Sequence, residues 1–251
     1  VHVGFGQEVF IMQLQGKAAL VTGASRGLGR ALAEELAQRG SKVVLVARGG
    51  AELEKVAAGI RAAGGVAHAL PGDIADKAAI HALSGAAASL VGPIDILVHN
   101  ASALGPVPLR LLLDTECEDL RDVLEANLVG PFRLTKVVAG AMALRGEGVV
   151  VHVSSDAGVA AYPRWGAYGV SKAAQDHLSR IWAAELGELG VRVFTVDPGE
   201  MDTEMHARAM PLADRASLAK ADFVARRIAA MIASDEIAGG ARLEAQSWEA
   251  S

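Results

Sequence analysis

Thr22-Gly23-Ala24-Ser25-Arg26-Gly27-Leu28-Gly29 follows a run rich in apolar residues at 17–22 and leads straight into an alanine- and leucine-rich stretch at 27–39. Glycines at 23, 27 and 29 permit a tight turn, and they let the backbone approach a pyrophosphate resting on a helix N-terminus. A plain chain reversal uses glycines too. The place of this turn, between a strand and an amphipathic helix, is what favours nucleotide binding. The spacing is T-G-x-x-x-G-x-G rather than G-x-G-x-x-G.

Working outward, the same alternation runs along the chain. Short runs rich in β-branched residues lie at 17–22, 42–47, 66–70, 94–98, 148–153 and 191–196, with a weaker one at 241–243. They are apolar throughout rather than strictly alternating, as strands covered on both faces are. Helical stretches fall at 27–39, 51–62, 76–90, 118–144, 168–188 and 218–233. This rhythm predicts an α/β, doubly wound parallel sheet of about seven strands with helices on both faces, a single-domain Rossmann fold over 14–251. Residues 1–13 read as an N-terminal extension, since Met12 stands just before the first clear strand. In such sheets ligands bind beyond the carboxyl ends of the strands, so the chemistry belongs after residues 22, 47, 70, 98, 153 and 196.

Composition narrows the partners. Lys and Arg number 24 and Asp and Glu 29, a net charge of −5. No basic stripe is present to hold nucleic acid. No apolar run is long enough to span a bilayer and no signal peptide is evident, so the expected location is cytoplasmic. Cys117 is the only cysteine, which rules out an intrachain disulfide, and Glu116 and Glu118 beside it disfavour a thiolate. The seven histidines form no ligand cluster and no metal is expected; His99, His152, His177 and His206 read as packing or surface residues.

Tyr168 and Lys172 are four apart in a helical stretch and so share a face. A free tyrosine near pKa 10 is a poor base, and a nearby ammonium would lower it. Asn127 stands mid-helix, four residues before Pro131. Proline has no N–H for the carbonyl of Asn127, which is left either to bind a relay water or simply to meet solvent at a kink.

Together these segments resemble the classical short-chain dehydrogenase/reductase family, over about residues 14–245. The resemblance rests on the glycine-rich turn, on Asp73 in Pro71-Gly72-Asp73-Ile74, on His99-Asn100-Ala101-Ser102, on Tyr168-x-x-x-Lys172 with Ser155 thirteen residues earlier, and on Pro198-Gly199 with Thr203. It implies hydride exchange between a nicotinamide cofactor and a carbonyl or alcohol. Ser155, in preference to Ser154, would hold the substrate oxygen, Tyr168 would act as acid/base, Lys172 would bind the nicotinamide ribose, and Asn127 would support a proton relay. Gly23, Ser25, Arg26, Gly27, Leu28, Gly29, Arg48, Asp73, Ile74, Asn100, Tyr168, Lys172, Pro198, Gly199 and Thr203 would bind the cofactor. The family's intersubunit four-helix bundle resembles the stretches 118–144 and 168–188, implying a homo-oligomer, a tetramer or dimer.

Relatives that prefer NAD carry an acid at the end of the second strand. Ala47 stands there, followed by Arg48, and Arg26 supplies a second cation, so NADP(H) is expected. The substrate would be framed by 158–167 and 200–217, which hold Tyr162, Arg164, Trp165, Met201, Met205, His206 and Met210. Weaker likeness to the sepiapterin and benzil reductase branch hints at vicinal dicarbonyls. Two alternatives stay open. One is a 3-oxoacyl-acyl-carrier-protein ketoreductase, with Arg133, Arg164 and Arg208 facing an acidic carrier. The other is a non-catalytic NADP(H)-binding regulator, against which the intact Ser155, Tyr168 and Lys172 argue.

Overall fold

Strand residues here must satisfy two apolar neighbours at once, and they sort by face. Along β1 (Ala18–Thr22), Ala19 and Val21 enter one core while Ala18 and Leu20 enter the other. The computed structural model describes residues 13–249, so the expected N-terminal extension, 1–13, lies outside the described residues except for Gln13. Six further strands follow: β2 (Lys42–Ala47), β3 (Val66–Pro71), β4 (Ile96–His99), β5 (Gly148–Val153), β6 (Val191–Asp197) and β7 (Arg242–Glu244). All pair in parallel, in the order β3-β2-β1-β4-β5-β6-β7. The chain is thus doubly wound, and its order reverses between β1 and β4.

Helices α1 (Gly27–Gln38), α2 (Gly50–Ala62) and α8 (Ala221–Ala233) cover one face through Leu32, Leu36, Leu53, Val56, Ile228 and Ile232. Helices α3 (Ile80–Val91), α5 (Gly130–Arg145) and α6 (Gly166–Leu186) cover the other, with Leu83, Leu134, Val138 and Met142 among the buried residues. No helix among the described residues is long and apolar enough to cross a membrane.

Three expectations change. The helix expected at 76–90 begins at Ile80, because the Asp76 carboxylate accepts the Ala78 amide and holds a turn instead. The stretch 118–144 is not one regular helix. It divides into α4 (Cys117–Leu124), a π-helical segment at Glu125–Val129, and α5. Gly130 N–H reaches back five residues to the Glu125 carbonyl, and Pro131, which has no N–H to give, follows at once. A six-residue element, α7 (Glu204–Ala209), went unforeseen; it is too short to show a period and is started by Thr203, whose hydroxyl accepts the His206 amide at 3.3 Å.

At the ends of β4 and β5 two histidines meet. His99 pairs with His152 in register, and their rings stack with centroids 4.8 Å apart. Both are fully buried. His99 Nε2 lies 2.8 Å from the Thr135 hydroxyl, while His99 Nδ1 and both His152 nitrogens have no partner among the described residues. Burial, reinforced by the Lys172 charge, holds His152 down to about 3, and burial, His152 and Lys172 hold His99 well below its usual value. The folded chain therefore keeps both rings neutral where the unfolded chain takes up protons. That stability is complete above pH 6.5 and is lost as pH falls toward 3. We predict that unfolding free energy drops in this window by about 1.4 kcal/mol per pH unit for each histidine. His152→Asn should flatten the acid limb in urea titrations run at several pH values; a limb as steep as wild type would contradict the assignment.

Candidate functional site

A cleft of about 1590 Å³ opens along the carboxyl ends of the strands, across the point where strand order reverses. Its cofactor side is built on Thr22. That hydroxyl donates to the Val98 carbonyl at 3.2 Å and accepts the amides of Asn100 and Ala101, each at 3.1 Å. Asn100 Nδ2 returns bonds to the carbonyls of Thr22 and Gly23, at 3.0 and 3.2 Å. Gly23 has φ +67°, and a Cβ there would stand 2.8 Å from Ala101 Cα. A Cβ on Gly29 would run into the Gly23 carbonyl. The turn is therefore glycine at both places by sterics. At Gly27 a Cβ would meet only the Thr203 side chain, at 3.6 Å, and it is the φ of +54° that favours glycine there.

The first turn of α1 has no side-chain cap, and Ser25, Arg26, Gly27 and Leu28 line the cleft. Uncapped amides at a helix N-terminus fit a pyrophosphate. Arg48 lines the cleft, is exposed, and makes no ion pair among the described residues. Arg26 is different from expectation: its guanidinium is 2.6 Å from the Glu204 carboxylate, the first residue of α7. Asp73 and Ile74 form the adjoining wall, with Asp73 Oδ1 accepting the Ala75 amide at 3.0 Å and Ile74 buried. Pro198, Gly199 and Thr203 close the opposite side, the Gly199 amide donating to Asp197 Oδ1 at 2.9 Å.

On the reacting side, Ser155, Tyr168 and Lys172 meet at the cleft floor. Burial pushes the Tyr168 phenol up to about 12; the Ser155 and Ser102 hydroxyls against it pull down, and the charges of Asp197 and Asp156 push up. The ammonium does not bring it within reach of neutral pH as the spacing suggested. Lys172 Nζ sits 5.6 Å from the Tyr168 ring centre and turns away to the Val153 carbonyl, 2.7 Å off. Burial also lowers Lys172 to about 8, against the opposing charges of Asp176 and Asp197.

Asn127 is fully buried in the π-helical segment. Its side chain accepts the Ala103 amide at 2.7 Å and donates to the Ala103 carbonyl and the Ser171 hydroxyl, both at 2.9 Å. The main-chain carbonyl is freed as expected, yet it is not left to water: Gln175 Nε2 donates to it at 3.1 Å.

Three participants were not foreseen. Asp156 accepts the Ser155 hydroxyl at 3.0 Å and the Tyr162 phenol at 2.9 Å. Arg242 on β7 joins Asp176 (3.1 Å), Asp197 (2.8 Å) and the Ser155 carbonyl (3.0 Å). Gln175 is the third. Only the adjacency of Asp156 to Ser155 was visible in the chain; the other two depend on tertiary packing. Of the substrate-framing residues, Tyr162, Trp165, Met201, Met205, His206 and Met210 line the cleft, whereas Arg164 does not.

The family model described as short chain dehydrogenase matches residues 17–212. This chain belongs to the short-chain dehydrogenase family. It is 36% identical over 192 residues to a 2,3-dihydro-2,3-dihydroxybenzoate dehydrogenase of Bacillus subtilis, covering 76% of this chain and 72% of that one. It is 36% identical over 196 residues to a 3-oxoacyl-acyl-carrier-protein reductase of Vibrio cholerae, covering 77% of each. Among solved structures, a short-chain dehydrogenase of Shigella flexneri complexed with NADP superposes with a TM-score of 0.86 at 26% identity, over 94% of this chain and 99% of that one. The fold and the hydride-transfer class are shared across these relatives, while their named substrates differ.

Because three groups on Ala103 and Ser171 depend on the Asn127 amide, Asn127→Ala should cost about 1–3 kcal/mol for each one left buried and unpaired. Urea unfolding measures it, and a loss under about 0.5 kcal/mol would mean that the loop and helix do not depend on this side chain.

Proposed function

We propose that this short-chain dehydrogenase is an NADP(H)-dependent oxidoreductase that interconverts a small-molecule carbonyl and its secondary alcohol. The observation that carries the reading is the meeting of the Ser155 hydroxyl and the Tyr168 phenol at the floor of the cleft, beside an uncapped glycine-rich helix start. The bound nicotinamide would supply the hydride in reduction and accept it in oxidation. Gly23, Ser25, Gly27, Leu28, Asn100 and the 198–203 segment would hold its diphosphate and nicotinamide ends, Asp73 and Ile74 its adenine, and Lys172 its ribose hydroxyls.

The side chains then divide the work. Ser155 turns its O–H from Asp156 to the substrate oxygen and fixes it next to Tyr168. Tyr168, which keeps its proton up to about pH 12, gives that proton to the oxygen as negative charge develops there. Oxidation needs the phenol deprotonated, which burial and the two carboxylates oppose, so the free chain is set up as an acid. Asn127 holds the Ala103 backbone and steadies the floor.

A carrier-linked β-ketoacyl substrate, as the Vibrio cholerae relative's name suggests for that enzyme, is less well supported. None of Arg133, Arg164 and Arg208 lines the cleft, and Arg133 is taken by Glu125 and the Ala75 carbonyl. Asp119 and Asp122 do line the cleft, and their charge would repel an acidic carrier. The choice of NADP(H) rests on Arg48, on the absence of an acid at Ala47, and on the NADP found with the Shigella flexneri structure.

Tyr168→Phe should abolish nearly all carbonyl reduction in a diketone, aldehyde and thioester panel while NADPH affinity, read by fluorescence, stays near wild type. Most of the activity surviving would remove Tyr168 from its role, whereas a wild type that binds NADPH but reduces no member of the panel would leave the regulator as the better reading. Arg48→Ala should weaken NADPH at least about tenfold more than NADH, in line with about 1.5–3 kcal/mol for a charge-assisted phosphate contact. Equal weakening of the two cofactors would put the 2′-phosphate elsewhere.

A further inference from the structure

Gln175 lies three residues after Lys172 on α6, hence on the same face, and is 1% exposed. A buried amide must satisfy both its ends. Its Oε1 is 3.3 Å from Lys172 Nζ and its Nε2 is 3.1 Å from the Asn127 carbonyl. Polarity fixes this orientation. Turned over, the amide would set its NH₂ against an ammonium and its oxygen against a carbonyl, two repulsive contacts in place of two bonds. The carbonyl is available because Pro131 offers it no N–H and the helix opens into a π-turn there.

We infer that Gln175 is a positioning residue of the catalytic centre: it holds the Lys172 ammonium in place and takes up the carbonyl that Pro131 frees. The inference rests on the catalytic reading of Lys172 given above. With Val153 O and Gln175 Oε1 occupying two of the three ammonium donors, the third is left for the cleft. An amide does not pass protons as a water would, so its task is to orient and to keep the charge.

The surroundings make that charge depend on its acceptors. Asp176 on the same helix and Asp197 at the end of β6 favour the ammonium, but both are shared with Arg242 on β7. His99 and His152 from β4 and β5 stay neutral, and burial works against the charge. Removing one of two direct acceptors should let the proton leave at lower pH.

The test follows the NADPH dissociation constant by fluorescence from pH 6 to 10 on the whole chain. Wild-type affinity should weaken as Lys172 loses its proton near pH 8. Gln175→Met, similar in volume but without an amide acceptor, should move that midpoint at least about one pH unit lower, a tenfold easier deprotonation. Gln175→Glu, which keeps an acceptor oxygen, should hold the midpoint at or above wild type. A well-folded Gln175→Met with an unmoved midpoint, or a Gln175→Glu midpoint as low as that of the Met variant, overturns the inference alone. If Gln175→Met does not fold, Gln175→Asn, one methylene too short to reach the ammonium, must show the same lowered midpoint. A wild type that binds no NADPH at any pH overturns the reading beneath it as well.

Discussion

The Thr22 hydroxyl is the bond on which the site depends. Strand order reverses between β1 and β4, which leaves their carboxyl ends side by side with no helix between them. One hydroxyl there donates to β4 and accepts two amides of the segment that follows it. Asn100 answers from the other side. Five backbone groups are thereby met by two side chains, and the glycine-rich turn is held against the Asn100–Ala101 backbone closely enough that no Cβ fits at Gly23. This side of the cleft is a product of sheet topology, not of a loop folding on itself.

Burial shapes the reacting half in the same way. Tyr168 and Lys172 are both almost wholly inside, and each moves toward its neutral form: the phenol up, the ammonium down. A chain that only needed stability would place apolar residues here. Instead the cost of burying Lys172 is met with a carbonyl, an amide and two carboxylates, themselves anchored by Arg242. The arrangement also explains why the simple helix-face argument gave the wrong sign for Tyr168. Shared facing set the two side chains together, but burial dominates the phenol and the ammonium found nearer acceptors in Val153 O and Gln175 Oε1.

The doubly wound parallel class, the strand positions and the pairing of Tyr168 with Lys172 could be read from the chain because each rests on local pattern: buried strands, glycines where only glycine fits, and a four-residue helical spacing; the order of the strands was not, and Ser155 came from the family resemblance. Asn127 with Pro131 was legible for the same reason, since a proline's missing N–H is a local fact. Its destination was not. Which group would take the freed carbonyl depended on how α6 packs beside the π-turn, and nothing near Gln175 in sequence announces it. Arg242 was hidden by the shortness of β7, and α7 by its six residues. Arg26 was read as free because Glu204 is 178 residues away.

That last pair has a consequence of its own. Arg26 on the glycine-rich turn and Glu204 at the start of α7 both line the cleft, so their contact links two of its walls by charge. Both side chains are more than half exposed, and the pair is correspondingly weak and open to screening by salt. Any anion arriving at Arg26 exchanges one carboxylate partner for another acceptor, and its net gain is only the difference between the two. The displaced Glu204 then sits unpaired at the first turn of α7, beside Met205 and His206. An anion at the glycine-rich turn and the start of α7 would thus compete for one guanidinium.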